Sequence, residues 1–216
     1  MKEITEQSLD CLRERVMREM SPKRFRHTVA VEQMIEQLCN LFCPEDTLRM
    51  RAAALLHDVT KELDTDGQIA LCLKLGIPVT DADRLAPKTL HARTAAAKIA
   101  VDFAEFSDPV IMEAVRWHTT GHAGMTLTEK LLYLADYIDL SRTFSSCVIL
   151  RRFFFGADPE KLTKEERLAL LRDTLILSYD MTVRDLVDDG IPVAEDTVMA
   201  RNELLLEKAM AEGRFA

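Results

Sequence analysis

The chain has 216 residues, 48% of them hydrophobic and 30% charged, with seven glycines and seven prolines. That is enough apolar material for one core, and the scarcity of Gly and Pro argues against a turn-rich β fold. A formal net charge of −8 gives no basic footprint for a nucleic-acid partner, and no apolar run reaches the length of a membrane span. The five cysteines, Cys11, Cys39, Cys43, Cys72 and Cys147, form no C-x-x-C pair. That pattern suits a reducing compartment, here the cytoplasm, and the polar, acidic start of the chain does not read as a signal peptide.

Helical periodicity runs through nearly the whole sequence. Thr5 to Met20 reads as an amphipathic helix with Leu9, Leu12, Val16 and Met20 on one side. Ser21-Pro22 stops it and starts the next, with Ser as N-cap and Pro in the first turn. That second helix carries Phe25, Val29, Met34, Ile35 and Leu38 and breaks near Pro44; Cys39 and Cys43, four apart, pack on its apolar side. Asp46 is placed to cap a third helix through Met50, Ala54 and Leu55, ending near His57-Asp58-Val59-Thr60. A short helix from Asp66-Gly67 closes at Gly76, and residues 77–90 read as a loop. Further helices are expected over 91–105, 109–118 and 127–140, then from Lys164 to Asp188, where Gly190 and Pro192 intervene, and from Thr197 to Glu212. Residues 145–162, with Arg151-Arg152 ahead of Phe153-Phe154-Phe155, fit no clear pattern. The whole is an all-α chain with one domain, 1–216.

Two positions carry buried charge that the sequence must account for. His57-Asp58 follows the apolar run Ala52 to Leu56, and Asp136 is the one charge in Leu131 to Ile138. Ionisable groups inside apolar segments need partners. Neighbouring residues on a helix point about 100° apart, so His57 and Asp58 can reach one ion lying between them. The five histidines are His27, His57, His91, His118 and His122. The first four sit on or beside different helices, an arrangement that a bundle can converge on one point. His122 follows Gly121 in a loop and reads as an exposed histidine. Lys61 comes three residues after Asp58 and Arg24 three before His27, spacings that place each basic group on the side of its acidic or imidazole neighbour.

The ordered set His27, His57-Asp58, His91, His118 and Asp136 resembles the HD-domain metal phosphohydrolases. Segments such as Arg116-Trp117-His118-Thr119-Thr120-Gly121, Gly124-Met125-Thr126-Leu127, Leu134-Ala135-Asp136-Tyr137-Ile138 and Ala200-Arg201-Asn202 are similar to its YqeK-type branch, the symmetrical bis(5'-nucleosyl)-tetraphosphatases. The resemblance spans roughly residues 20 to 205 and implies an HD-domain helical bundle with a metal-site core over about 22–142. It implies an enzyme that cuts diadenosine tetraphosphate into two ADP with a metal-activated water. His27, His57, Asp58 and Asp136 would hold a transition metal, iron in this branch; Mn, Co and Zn accept the same ligands.

Asp58, Lys61, His91 and His118 would form the catalytic set, with His91 and His118 contacting phosphate or binding a second ion. Arg24, His27, Lys88, His91, His118, Arg142, Thr197 and Asn202 would line the substrate. The implied partner is a small nucleotide, with neither nucleic acid nor membrane, and a homodimer is compatible with the sequence. Two alternatives share the same residues: an HD phosphohydrolase acting on another nucleotide, and a nucleotide-binding regulator without turnover. Leu140-Ser141-Arg142-Thr143 departs from the branch, which carries a Pro-rich turn there.

Overall fold

The computed structural model describes residues 3–214, which contain helices and turns and no strand. The α-helices are α1 (Glu6–Glu19), α2 (Pro22–Phe42), α3 (Thr47–Leu56), α4 (Thr65–Lys74), α5 (Asp81–Leu85), α6 (Leu90–Asp102), α7 (Pro109–Trp117), α8 (Leu127–Ile138), α9 (Ser145–Gly156), α10 (Lys164–Asp188) and α11 (Glu195–Ala211). Polar caps set many of the starts. Ser21 Oγ accepts from Arg24 N at α2, and Thr126 and Glu129 exchange hydrogen bonds at α8. No described helix is long and apolar enough to cross a membrane.

The short helix α3 is the centre of the molecule. From Met50 to Leu56 every residue is buried, and α1, α2, α7 and α8 pack around it. A helix enclosed on all sides needs small residues where neighbours approach, and Ala52, Ala53 and Ala54 supply them. Buried Glu32 of α2 ties this layer together. It accepts from Arg13 of α1 at 2.6 Å and from Arg51 of α3 at 3.1 Å. Farther along, Tyr133 of α8 packs against Tyr179 of α10, so the C-terminal helices cover the outer side of α8.

Several boundaries differ from the sequence expectation, each for a local reason. Asp46 stands at the start of α3, but its carboxylate takes Arg49 at 2.9 Å and makes no cap. The N-cap of α4 is Asp64, whose Oδ1 accepts from Gly67 N. Residues 77–90 are not a plain loop: Thr80 and Asp83 form a capping box that starts α5, and a 3-10 turn follows over Pro87–Thr89. The segment without a clear pattern contains α9. It packs Cys147, Leu150 and Phe154 inward and leaves Ile149 and Phe153 exposed. Exposed apolar residues on its outer face blur the helical period.

One turn is held by its glycine. After α7 the chain reverses at Gly121, with φ +63°, and Gly121 N donates to Trp117 O at 2.8 Å. A Cβ there would lie 1.9 Å from Tyr179 Oη. Gly121→Ala combines left-handed strain with a collision against α10, a loss of about 2–5 kcal/mol. Adding Tyr179→Phe should restore part of that loss in chemical denaturation; full destabilisation in the double variant would mean that strain alone is responsible.

Candidate metal centre

Four helices bring one histidine each to the same place. His27 projects from the second turn of α2, His57 closes α3, His91 lies at the start of α6, and His118 closes α7. Asp136 comes from α8 and Asp58 from the turns after α3. None of the six is more than 9% exposed. The chain between His57 and Leu63 is a run of turns rather than the end of a helix. The bond Lys61 N to Asp58 O nevertheless returns Lys61 to the side of Asp58. Thr60 anchors this run, donating to His91 O at 3.0 Å, while Gln68 donates to Thr60 O and Thr94 to Gln68.

The orientation of three imidazoles follows from backbone carbonyls. His57 Nδ1 lies 2.6 Å from Ala54 O, His91 Nδ1 2.6 Å from Lys88 O, and His118 Nδ1 2.7 Å from Val115 O. A carbonyl only accepts, so Nδ1 carries the proton in each. The Nε2 lone pairs are left facing inward, toward Asp58.

Asp58 divides the cluster into two sides. Its Oδ2 lies 3.4 Å from His57 Nε2 and 3.7 Å from His27 Nε2. Its Oδ1 lies 3.2 Å from His91 Nε2 and 3.8 Å from His118 Nε2. Asp136 Oδ1 completes the first side, 2.9 Å from His27 Nε2 and 3.7 Å from His57 Nε2. Despite these short separations, Nε2 of both His27 and His57 is buried without a well-aligned hydrogen-bond partner. Two orphaned nitrogens and two carboxylates pointing at one volume suit a transition-metal ion. His27, His57 and Asp136 form one ligand group, and His57, Asp58 and His118 form another that overlaps it.

The electrostatics differ between the two sides. Burial works to lower the pKa of His57, but the charge of Asp58 and hydrogen bonding to Asp136 and Asp58 prevail and raise it to about 10. His27 is raised in the same way by Asp136 and Asp139 against its burial. His91 goes the other way. Burial and the neighbouring positive charge of Lys61 bring it down to about 4, against the pull of Asp58. His118 is also lowered, chiefly by burial. Asp58 and Asp136 are held well below the usual carboxylate range: burial opposes ionisation, but the charge of His57 on Asp58, and of Arg142 on Asp136, outweighs it.

The basic residues expected near substrate are placed unequally. Arg24 Nη1 donates to Asp58 Oδ2 at 2.6 Å, and Arg142 Nη2 donates to Asp136 Oδ1 at 2.5 Å. Both guanidinium groups are therefore at the centre and engaged with ligand carboxylates. Lys61 Nζ lies 3.1 Å from His91 Nε2. Lys61, Lys88 and His91 line a cleft of about 160 Å³ beside the histidines. Thr197 and Asn202 are not brought to the cluster. Thr197 Oγ1 donates to Thr120 O, pinning α11 to the turn after His118, and Asn202 is exposed beside Arg201. His122 is not the exposed loop residue that was expected. It is half-buried, its ring 4.5 Å from that of Trp117 and its Nε2 3.5 Å from Glu129.

Sequence reading missed three contributors. Asp139 and Ser141 flank the outer edge of His27, and Thr119 Oγ1 lies 3.2 Å from His91 Nε2. A signal for Asp139 exists: it lies one helical turn beyond Asp136, on the same side.

Fold and site together define a helical protein with a buried His/Asp cluster that could hold a cation. A model of the HD domain matches residues 24–141, and the chain belongs to that family. Symmetrical bis(5'-nucleosyl)-tetraphosphatases are among its relatives. The one from Bacillus subtilis is 29% identical over 200 residues, which is 93% of this chain and 97% of the relative. That from Halalkalibacterium halodurans is 27% identical over 189 residues, 88% and 92% of the two chains. A solved structure from Clostridium acetobutylicum, described as a predicted HD superfamily hydrolase involved in NAD metabolism, superposes with a TM-score of 0.78 at 29% identity. It covers 92% of this chain and 97% of its own.

The pKa of His57 makes metal uptake a competition with protons. In the metal-free protein His57 is protonated below about pH 10, and a cation must displace that proton to reach Nε2. Affinity for Mn²⁺ should therefore rise about tenfold per pH unit between roughly pH 7 and 9. Calorimetry in buffers of different ionisation enthalpy should record proton release; an affinity independent of pH would contradict the assignment of His57.

Proposed function

We infer that this protein hydrolyses dinucleoside tetraphosphates symmetrically, cutting diadenosine tetraphosphate to two ADP with the help of a transition metal, iron by the family resemblance. The carrying observation is Asp58, placed between two sets of inward-facing imidazole lone pairs and paired with Arg24, while Lys61 adjoins His91 and Arg142 pairs with Asp136. Imidazole and carboxylate acceptors suit divalent cations, and cations suit a polyphosphate. The named activity of relatives matching nearly full length supports the same choice.

His27, His57, Asp58 and Asp136 would hold the first ion. A bound divalent ion supplies a Lewis acid for phosphoryl oxygens and acidifies water near neutral pH. His91 and His118 are better suited to a second cation than to phosphate. Their Nε2 atoms lie 3.0 Å apart, both facing Asp58 Oδ1, and with Nδ1 bonded to carbonyl the neutral rings offer lone pairs inward, not protons. Phosphate contact then falls to the basic groups. Arg24 and Arg142 sit beside the ligand carboxylates and Lys61 at the cleft. Together they hold two phosphates of one substrate half with the inner phosphorus at the centre. The other half leaves as a nucleoside diphosphate through the cleft that Lys88 borders.

Clamping one half as a diphosphate fixes the cut at the middle of the chain. Hydrolysis of diadenosine tetraphosphate in ¹⁸O-labelled water should give ADP alone, with label confined to the β-phosphate. AMP with ATP, or preferential cleavage of NAD or a cyclic dinucleotide in the same assay, would overturn the symmetrical reading. His91→Ala and His118→Ala should each lower kcat by about 10² to 10³, the usual cost of one lost charge-stabilising group. Both should retain tight binding of one Mn²⁺ per chain; normal turnover in either variant would make that histidine a packing residue.

A further inference from the structure

Three of the four histidines owe their orientation to backbone. His57 and His118 close helices whose last carbonyls lack intrahelical donors, and His91 stands at a helix start with Lys88 O outside the helix. His27 has no such anchor. It lies within α2, where nearby carbonyls serve the helix itself. Its Nδ1 instead faces the segment after α8, 3.4 Å from Asp139 Oδ2 and 3.3 Å from Ser141 Oγ.

Asp139 is fully buried. Its Oδ1 is occupied, accepting from Ser141 N at 2.8 Å and from Ser141 Oγ. Its Oδ2 is buried with no hydrogen-bond partner of good geometry. The near groups are His27 Nδ1 and, at 3.6 Å, Arg142 Nε. A buried carboxylate oxygen without a donor is costly, and the imidazole beside it has one proton to place. With Nδ1–H turned to Asp139, Nε2 is free for a cation.

We propose that Asp139 is a positioning residue of the metal centre, fixing the tautomer and ring angle of His27 through Nδ1 and adding a third buried carboxylate to Asp58 and Asp136. Three carboxylates stand against three cationic groups, Arg24, Arg142 and Lys61. Without Asp139 the cationic groups would outnumber the carboxylates and repel an incoming dication. Carboxylates behind a ligand histidine raise its basicity, and losing one commonly weakens metal binding 10- to 100-fold. This inference rests on the reading of His27 as a metal ligand.

The test is equilibrium dialysis of metal-stripped protein against Mn²⁺, with bound metal counted by elemental analysis and the fold followed by circular dichroism. Asp139→Asn keeps the size and removes the charge. It should bind Mn²⁺ about 10- to 100-fold more weakly, while turnover recovers toward the parent value at saturating Mn²⁺. A folded Asp139→Asn with the parent affinity overturns the proposal. Should that variant fail to fold, Ser141→Ala decides, because it loosens Asp139 without removing it. About threefold to tenfold weaker binding is expected there, below the cost of losing the carboxylate itself, and parent affinity again overturns the proposal. His27→Ala, measured alongside, separates the two levels: unchanged Mn²⁺ affinity in that variant would remove His27 from the ligand set altogether.

Discussion

A carboxylate with 3% of its surface exposed is a large electrostatic cost unless cations or donors surround it, and Asp58 meets that demand with five groups from four segments. Arg24 comes from α2, His57 from its own segment, His91 from α6, His118 from α7, and His27 from α2 again. Two of the helices that supply them, α2 and α7, also enclose α3. The buried run from Ala52 to Leu56 fixes where the C-terminal end of α3 lies, and that end carries His57 and Asp58 into the middle of the bundle. Packing and chemistry share one scaffold here. A change in the core layer of α3 would displace the ligands as well as weaken the fold.

The same arrangement explains why the two sides of the cluster titrate in opposite directions. Asp136 adds a second carboxylate to the side of His27 and His57, and both imidazoles are raised. The side of His91 and His118 has only Asp58 Oδ1 to oppose burial, and Lys61 adjoins His91, so both are lowered. Without an ion, one side favours a proton and the other rejects it. A polyphosphate would meet Arg24 and Arg142 beside the carboxylates and cation-seeking lone pairs next to them, which suits phosphoanhydride hydrolysis better than recognition of a base.

Much of this was legible in the sequence. The apolar run before His57 and the lone charge at Asp136 demanded partners, and the order of the four histidines matched the family, so the residues that cluster at the proposed centre could be picked out by pattern and resemblance. The long helix Lys164–Asp188 was read to the residue, with Gly190 as the signal for its end; in the structure Thr163 caps its start. The α9 segment was not, because Ile149 and Phe153 face outward and obscure the period. Asp139 was overlooked since its role depends on the turn beyond α8, which folds Ser141 back onto it. Thr197 was read as a nucleoside contact, yet its hydroxyl is spent on Thr120 O, a pairing that only the packing of α11 determines.

Crystals grown with Mn²⁺ and measured at wavelengths on either side of the Mn absorption edge would address the centre directly. An anomalous peak bounded by His27, His57, Asp58 and Asp136 is expected, and a second ion would lie between Asp58, His91 and His118. An anomalous peak confined to other residues, with the four ligands still paired to Arg24 and Arg142 and to one another, would contradict that placement.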